Sequence, residues 1–235
     1  MIITKEFARM ANAVYQLDTN GHTIPGFEAK TFNEEKRWGW TRTDFKGCVY
    51  IKDSTKEYVV AFQGTVPAKL GDIASDLQIV AGILPQYCSA ALRLFDVART
   101  RLAGYTPYFV GHSLGGAVAQ VIGHWMHIPF VTFNAPGMWG LIQTAKILDW
   151  TPDGLHSWMG GLKGTAFDKQ RASTGRNFRN VLDPVSAIGS HYGPVTRFWC
   201  GDFHSMDSLE ETVKRSSWAD KNPLAIANKE WGELD

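Results

Sequence analysis

Tyr108-Phe-Val-Gly-His-Ser-Leu-Gly-Gly-Ala-Val-Ala119 is the stretch that decides the fold of this chain. It reads as a short apolar strand, then Gly111-His112-Ser113-Leu114-Gly115, then a helix of small residues. A Gly-x-Ser-x-Gly segment between strand and helix is the pattern of a nucleophile elbow. Such a turn is sharp and strained, and it lifts a serine hydroxyl out of the sheet. The residues two before and two after the serine crowd the turn, so glycine suits both places. Gly116, Ala117 and Ala119 let the helix lie close to neighbouring strands. The helix N-terminus directs free N–H groups and its positive dipole end at the serine. A glycine-rich turn before a core helix has the same letters. The flanking strand and helix favour the elbow.

Upstream, Ile3, Phe7, Met10, Val14 and Leu17 fall on one face of an amphipathic helix. Residues 18–46 carry Asn20-Gly21 and Pro25-Gly26 and read as loop. Gly47–Ile51 and Tyr58–Phe62 are strands joined by the turn Asp53–Lys56, hence an antiparallel pair. Gln63-Gly64-Thr65 ends the second strand. Residues 66–84 are mixed, with an apolar run from Leu77 to Leu84. Pro85 is expected to open a long helix to about Ala103, with Cys88, Ala91, Phe95, Ala98 and Leu102 buried.

Downstream, the elbow helix runs to about His127, a strand covers 129–133, and 138–149 reads as helix. Residues 151–176 are broken by five glycines and read as a long inserted loop. Phe178–Leu182 and Val195–Trp199 are further strands, and Ser205 to Arg215 is a helix. Strands alternating with helices predict an α/β fold: one domain over 1–235, with a mostly parallel sheet covered on both faces. Sites in such sheets lie at the carboxyl ends of the strands. Thr65, Ser113, Asn134 and Asp183 all follow strand ends.

With 235 residues and 44% hydrophobic content the chain is long enough and apolar enough for a large core. A net charge of +1, with no basic stripe, gives no reason to expect nucleic acid as a partner. Cys48, Cys88 and Cys200 match no metal spacing and read as free thiols. Charges at Lys5, Glu6 and Arg9 interrupt any signal-peptide core, and no stretch approaches a transmembrane span. The default expectation is a cytoplasmic protein, with export by a signal-independent route left open. Protein partners are not legible.

A serine hydroxyl needs a base within hydrogen-bond reach, and the base needs an acid to fix its tautomer. In this chain order the acid precedes the histidine. Asp183 ends a strand and is fixed by Pro184; its alternative role is an ordinary turn aspartate. Among seven histidines, His204 hangs in the loop after the last strand, and His191 is the runner-up. His112 adjoins Ser113 but is expected to point away across the turn. An oxyanion needs about two aimed donors. The backbone N–H of Leu114 is one, and the Gly64-Thr65 segment supplies the other.

Val60-Ala-Phe-Gln-Gly-Thr65, Val110-Gly-His-Ser-Leu-Gly-Gly-Ala117 and Thr132-Phe-Asn-Ala-Pro-Gly137 occur in one order, followed by Asn180-Val-Leu-Asp-Pro-Val185, Ser190-His-Tyr-Gly193 and Phe203-His-Ser-Met-Asp207. In this the chain resembles the class 3 lipases, the fungal-lipase-like branch of the α/β-hydrolases. The resemblance implies Ser113, Asp183 and His204 as triad, Thr65 and Leu114 as oxyanion hole, and a structural role for His191. It also implies a lid within roughly 66–84. Gln63 stands where many members have arginine, and 151–176 has no counterpart.

The function expected from these readings is hydrolysis of lipid esters, by a triacylglycerol lipase or a phospholipase A type of enzyme, without metal or cofactor. An acyltransferase on the same triad and a non-catalytic binding module are the alternatives. Apolar residues at 77–84 and 155–162 are candidate acyl-groove linings, with His112, Ile83, Leu84, Trp158 and Met159 singled out as substrate contacts. Ordinary core and loop is the competing reading of both stretches. The partner is then a lipid or other ester substrate, with transient contact to a lipid surface.

Overall fold

The computed structural model describes residues 1–17, 23–33, 45–64, 77–139 and 175–224. Among these residues seven strands form one sheet in chain order: β1 (Glu28–Asn33), β2 (Lys46–Lys52), β3 (Glu57–Phe62), β4 (Thr106–His112), β5 (Phe130–Phe133), β6 (Gly175–Asn180) and β7 (Val195–Phe198). β1, β2 and β3 pair antiparallel, and every later pair is parallel. This is the mostly parallel sheet expected from the alternation of elements.

Two layers of helix cover it: α1 (Thr4–Ala13) and α4 (Met206–Arg215) on one face, α2 (Leu77–Arg101) and α3 (Leu114–Met126) on the other. The strands alternate accordingly. Tyr58, Val60 and Phe62 of β3 pack toward α2 and α3, while Val59 and Ala61 pack toward α1 and α4. Phe7, Met10, Ala11 and Val14 supply the buried stripe at the α1 end. The Glu6 carboxylate accepts from Ile3 N–H at 2.9 Å and closes the first turn of α1. No described helix is long and apolar enough to cross a membrane. Cys48, Cys88 and Cys200 are free and buried.

Several boundaries differ from expectation, and the strand expected over Phe178–Leu182 ends at Asn180. β1 occupies residues 28–33, inside the stretch read as loop, because among the described residues it pairs only with β2 and needs no apolar run to do so. α2 starts at Leu77 and contains Pro85, so the apolar run 77–84 is the first part of a helix and Pro85 does not open it. β6 begins at Gly175, so the last two residues of the supposed loop 151–176 are strand. A side chain at Gly175 would put its Cβ 2.1 Å from the Phe130 ring, so this glycine marks close strand packing rather than a break. The helix expected over 138–149 and the loop over 151–174 lie almost wholly outside the described residues, as do residues 65–76.

The parallel register aligns the strand ends. Phe62 pairs with Gly111, His112 with Phe133, Phe133 with Phe178, and Asn180 with Phe198. The segments that follow these residues therefore leave one edge of the sheet together.

Candidate active site

Ser113 sits between β4 and α3 with φ 55° and ψ −127°, a conformation costly for a residue with a side chain. The surroundings impose it. A Cβ at Gly111 would lie 2.3 Å from the Gly115 carbonyl group, and one at Gly115 would lie 2.2 Å from the Phe62 carbonyl oxygen. Only glycine at both positions lets the helix start this close to β3. Ser113 N–H donates to Phe133 at 3.1 Å and its carbonyl accepts from Ala117 at 3.0 Å, fixing the turn to β5 and to α3. Leu114 is the first residue of α3, so its N–H falls outside the helix's own ladder of bonds.

Asp183 and His204 come from different loops, one after β6 and one after β7. His204 Nδ1 lies 2.9 Å from Asp183 Oδ1. A carboxylate only accepts, so the imidazole proton is on Nδ1 and Nε2 keeps its lone pair. That Nε2 is buried and makes no hydrogen bond among the described residues. The Asp183 side chain is buried and accepts from Val185 N–H through Oδ1 and from Ser186 N–H through Oδ2, each at 3.1 Å. Its carboxylate is thereby oriented from behind while one oxygen faces the ring.

The two loops are tied by a residue to which the sequence assigned no role. Asn180 is fully buried and donates through Nδ2 to the carbonyls of Cys200, Asp202 and Phe203 at 3.0, 3.2 and 3.3 Å. Its Oδ1 accepts from Cys200 N–H at 3.2 Å and Leu182 N–H at 3.3 Å. Asn134 adds a second tie, accepting from Asn180 N–H at 2.8 Å. The signal in the sequence was a polar asparagine three residues before Asp183, inside the strand read over Phe178–Leu182.

His191 is placed elsewhere. Its Nε2 donates to the Ala135 carbonyl at 2.8 Å, and burial holds its pKa below the ordinary 6.5. Asp183 thus orients His204, and the other candidate base is engaged by backbone. His112 does not point away as expected. Its ring packs against that of His204, centroids 4.6 Å apart, and it is buried. Leu84 is fully buried in the core beneath α2. Ile83 is the preceding residue of α2. Thr65, Trp158 and Met159 lie outside the described residues.

A strained serine at a strand-to-helix turn of a mostly parallel sheet, flanked by such loops, defines an α/β-hydrolase. Over residues 6–145 the chain matches the model of the Tle-like phospholipase domain, and it belongs to that phospholipase-like family. Solved structures share the fold. The Lip2 lipase of Yarrowia lipolytica is 18% identical, with a TM-score of 0.51 over 78% of this chain and 72% of that one. A triacylglycerol lipase described as having a serine protease triad at its catalytic centre is 15% identical, with a TM-score of 0.51 over 84% and 78% of the two chains. An ATG15 protein of Candida glabrata, provisionally named a lipase, is 23% identical over 145 residues, covering 44% of this chain and 29% of its own. Its counterpart from Mycosarcoma maydis is 26% identical over 171 residues, 56% of this chain and 32% of its own. The matched region thus spans about a third of these relatives.

Proposed function

We propose that the chain is a serine carboxylester hydrolase acting on lipid esters. The observation that carries this reading is the Asp183–His204 pair, with Nε2 of the imidazole unpartnered among the described residues and its ring against the residue that precedes Ser113. His204 Nε2 takes the proton of the Ser113 hydroxyl as the oxygen attacks the acyl carbonyl. The oxyanion forms against the N–H groups of Leu114 and Thr65. Collapse expels the alcohol, which leaves with the proton from His204, and an acyl-enzyme remains. Water then attacks, giving its proton to His204, and the carboxylic acid is released with Ser113 restored. Asp183 stabilises the imidazolium in both halves. In unliganded enzymes the serine–histidine bond is often long, which fits a free Nε2.

Membership of the phospholipase-like family and the surface around the site support a lipid as substrate. Val181 and Leu182 precede Asp183, Trp199 follows β7, and Phe203 precedes His204, all of them exposed; Trp199 and Phe203 expose 65% and 55% of their surface. Apolar side chains grouped on the loops that carry the acid and base suit a substrate presented at a lipid surface. Phospholipid and triacylglycerol are the two substrate classes.

The experiment compares the wild type with Ser113→Ala on phosphatidylcholine vesicles, a triacylglycerol emulsion and a chromogenic short-chain ester. Release of fatty acid from one of the lipids, lost in Ser113→Ala, is the expected result. Transfer of the acyl group to an added alcohol in preference to water would assign an acyltransferase instead. Hydrolysis retained by Ser113→Ala would overturn the mechanism.

A further inference from the structure

Three segments meet beside the nucleophile through a residue that the hydrolytic chemistry does not use. Tyr15 lies in the single turn of 3-10 helix, Val14–Gln16, that follows α1. Its hydroxyl oxygen is 3.1 Å from the Gly64 backbone nitrogen and 2.9 Å from His112 Nδ1. Gly64 lies two residues past β3, immediately before Thr65, and His112 is the last residue of β4. One phenol therefore bridges the strand end that leads to the expected oxyanion donor and the strand end that carries the nucleophile.

The direction of each bond follows from the groups. Gly64 N–H only donates, so it occupies a lone pair on the Tyr15 oxygen. The phenolic proton then goes to His112 Nδ1, the acceptor in reach. This puts the His112 proton on Nε2 and makes the ring neutral. Burial holds the His112 pKa well below its ordinary 6.5, and burial also pushes the Tyr15 phenol upward. Both groups keep these roles throughout the neutral range.

The convergence requires the glycine. A Cβ at Gly64 would lie 2.4 Å from the His112 carbonyl oxygen, 2.5 Å from the Tyr15 hydroxyl and 3.1 Å from Ser113 Cβ. Beyond the bridge, the His112 ring edges Tyr15 at 5.9 Å between centroids on one side and packs on His204 at 4.6 Å on the other. The chain of contacts runs Gly64, Tyr15, His112, His204, Asp183.

We propose that Tyr15 is a positioning residue for catalysis: bonded at once to Gly64 N–H and His112 Nδ1, it holds the oxyanion side and the base side of the site in one fixed relation about Ser113. This rests on the assignment of Ser113 as nucleophile and His204 as base. The groups Tyr15 controls act on the developing oxyanion and the moving proton, and neither binds the ground-state acyl chain. Small misplacements of such groups lower turnover steeply. The effect therefore falls on kcat and spares KM.

Tyr15→Phe tests this, because it keeps the ring and removes only the hydroxyl. The readouts are kcat and KM on a chromogenic short-chain ester, the second-order rate of inactivation by a fluorophosphonate, and Tm. The expected result is a loss of about ten-fold or more in kcat and in inactivation rate, with KM within about two-fold of wild type. His112→Phe keeps a ring against His204 but offers no acceptor to Tyr15, and it should lose turnover similarly. The double variant should lose less than the product of the two single losses, since both act through one bond.

Wild-type kcat in Tyr15→Phe, a raised KM at unchanged kcat, or fully multiplicative losses in the double variant would each overturn the positioning role. An active wild type beside an unaltered Tyr15→Phe removes that role alone. A wild type inert to both ester and fluorophosphonate removes the assignment of Ser113, and the role of Tyr15 with it.

Discussion

His204 and Asp183 are joined by one 2.9 Å contact, Nδ1 to Oδ1, and the backbone N–H groups of Val185 and Ser186 hold the same carboxylate from the protein side. The arrangement leaves the carboxylate a single orientation and the imidazole a single tautomer. Converting the acid to an amide keeps its shape and reverses that logic. Asp183→Asn is expected to lower kcat by about 10³–10⁴-fold, with circular dichroism unchanged. A ten-fold effect or less would show that His204 does not depend on Asp183.

The loops bearing acid and base should be lost together when Asn180 is truncated. Its side chain makes five hydrogen bonds to the backbone at 200, 202, 203 and 182. Asn180→Ala leaves buried backbone groups unpaired and should cost about 2–4 kcal/mol. Urea denaturation measures this, and an unchanged midpoint would contradict it.

Much of the architecture is legible in the sequence because the deciding residues carry their own physics. Gly111 and Gly115 are required by contacts of 2.3 and 2.2 Å, and Asp183 and His204 stand after strands in the order that brings them to one edge. β1 was illegible because Glu28-Ala-Lys-Thr-Phe-Asn33 pairs along the antiparallel edge, where backbone bonds, not an apolar pattern, define a strand. Pro85 misled because proline usually opens a helix, whereas here the chain is already helical eight residues earlier. Tyr15 was illegible for another reason. Its partners, Gly64 and His112, are 49 and 97 residues away, and no local pattern encodes that meeting.

Acid should weaken the fold through its buried histidines. His112 and His191 both titrate below 6.5 in the folded chain, chiefly because burial disfavours their charge. The unfolded chain therefore binds protons that the folded chain refuses. Stability is full above pH 6.5 and falls as the pH drops below it, with a slope of up to about 1.4 kcal/mol per pH unit for each histidine. Urea titrations at neutral and mildly acid pH measure the difference. His191→Gln retains a donor for Ala135 and should flatten the dependence; an unaltered slope would exclude His191 as a contributor.

The exposed aromatic residues beside the site should matter only at a lipid surface. Replacing Trp199 and Phe203 together with serine removes large apolar side chains from the loops after β7. Turnover on phospholipid vesicles or emulsified triacylglycerol should fall about ten-fold or more. Turnover on a dissolved short-chain ester should stay within about two-fold of wild type. Equal losses on both substrates would assign these residues to the site itself.

Reaction with a fluorophosphonate reads out whether the strained turn presents Ser113 as the nucleophile. Mass spectrometry of the digested wild-type protein should find one equivalent of adduct on the peptide containing Ser113, and none in Ser113→Ala. Adduct on a different serine, or equal labelling of the variant, would contradict that role.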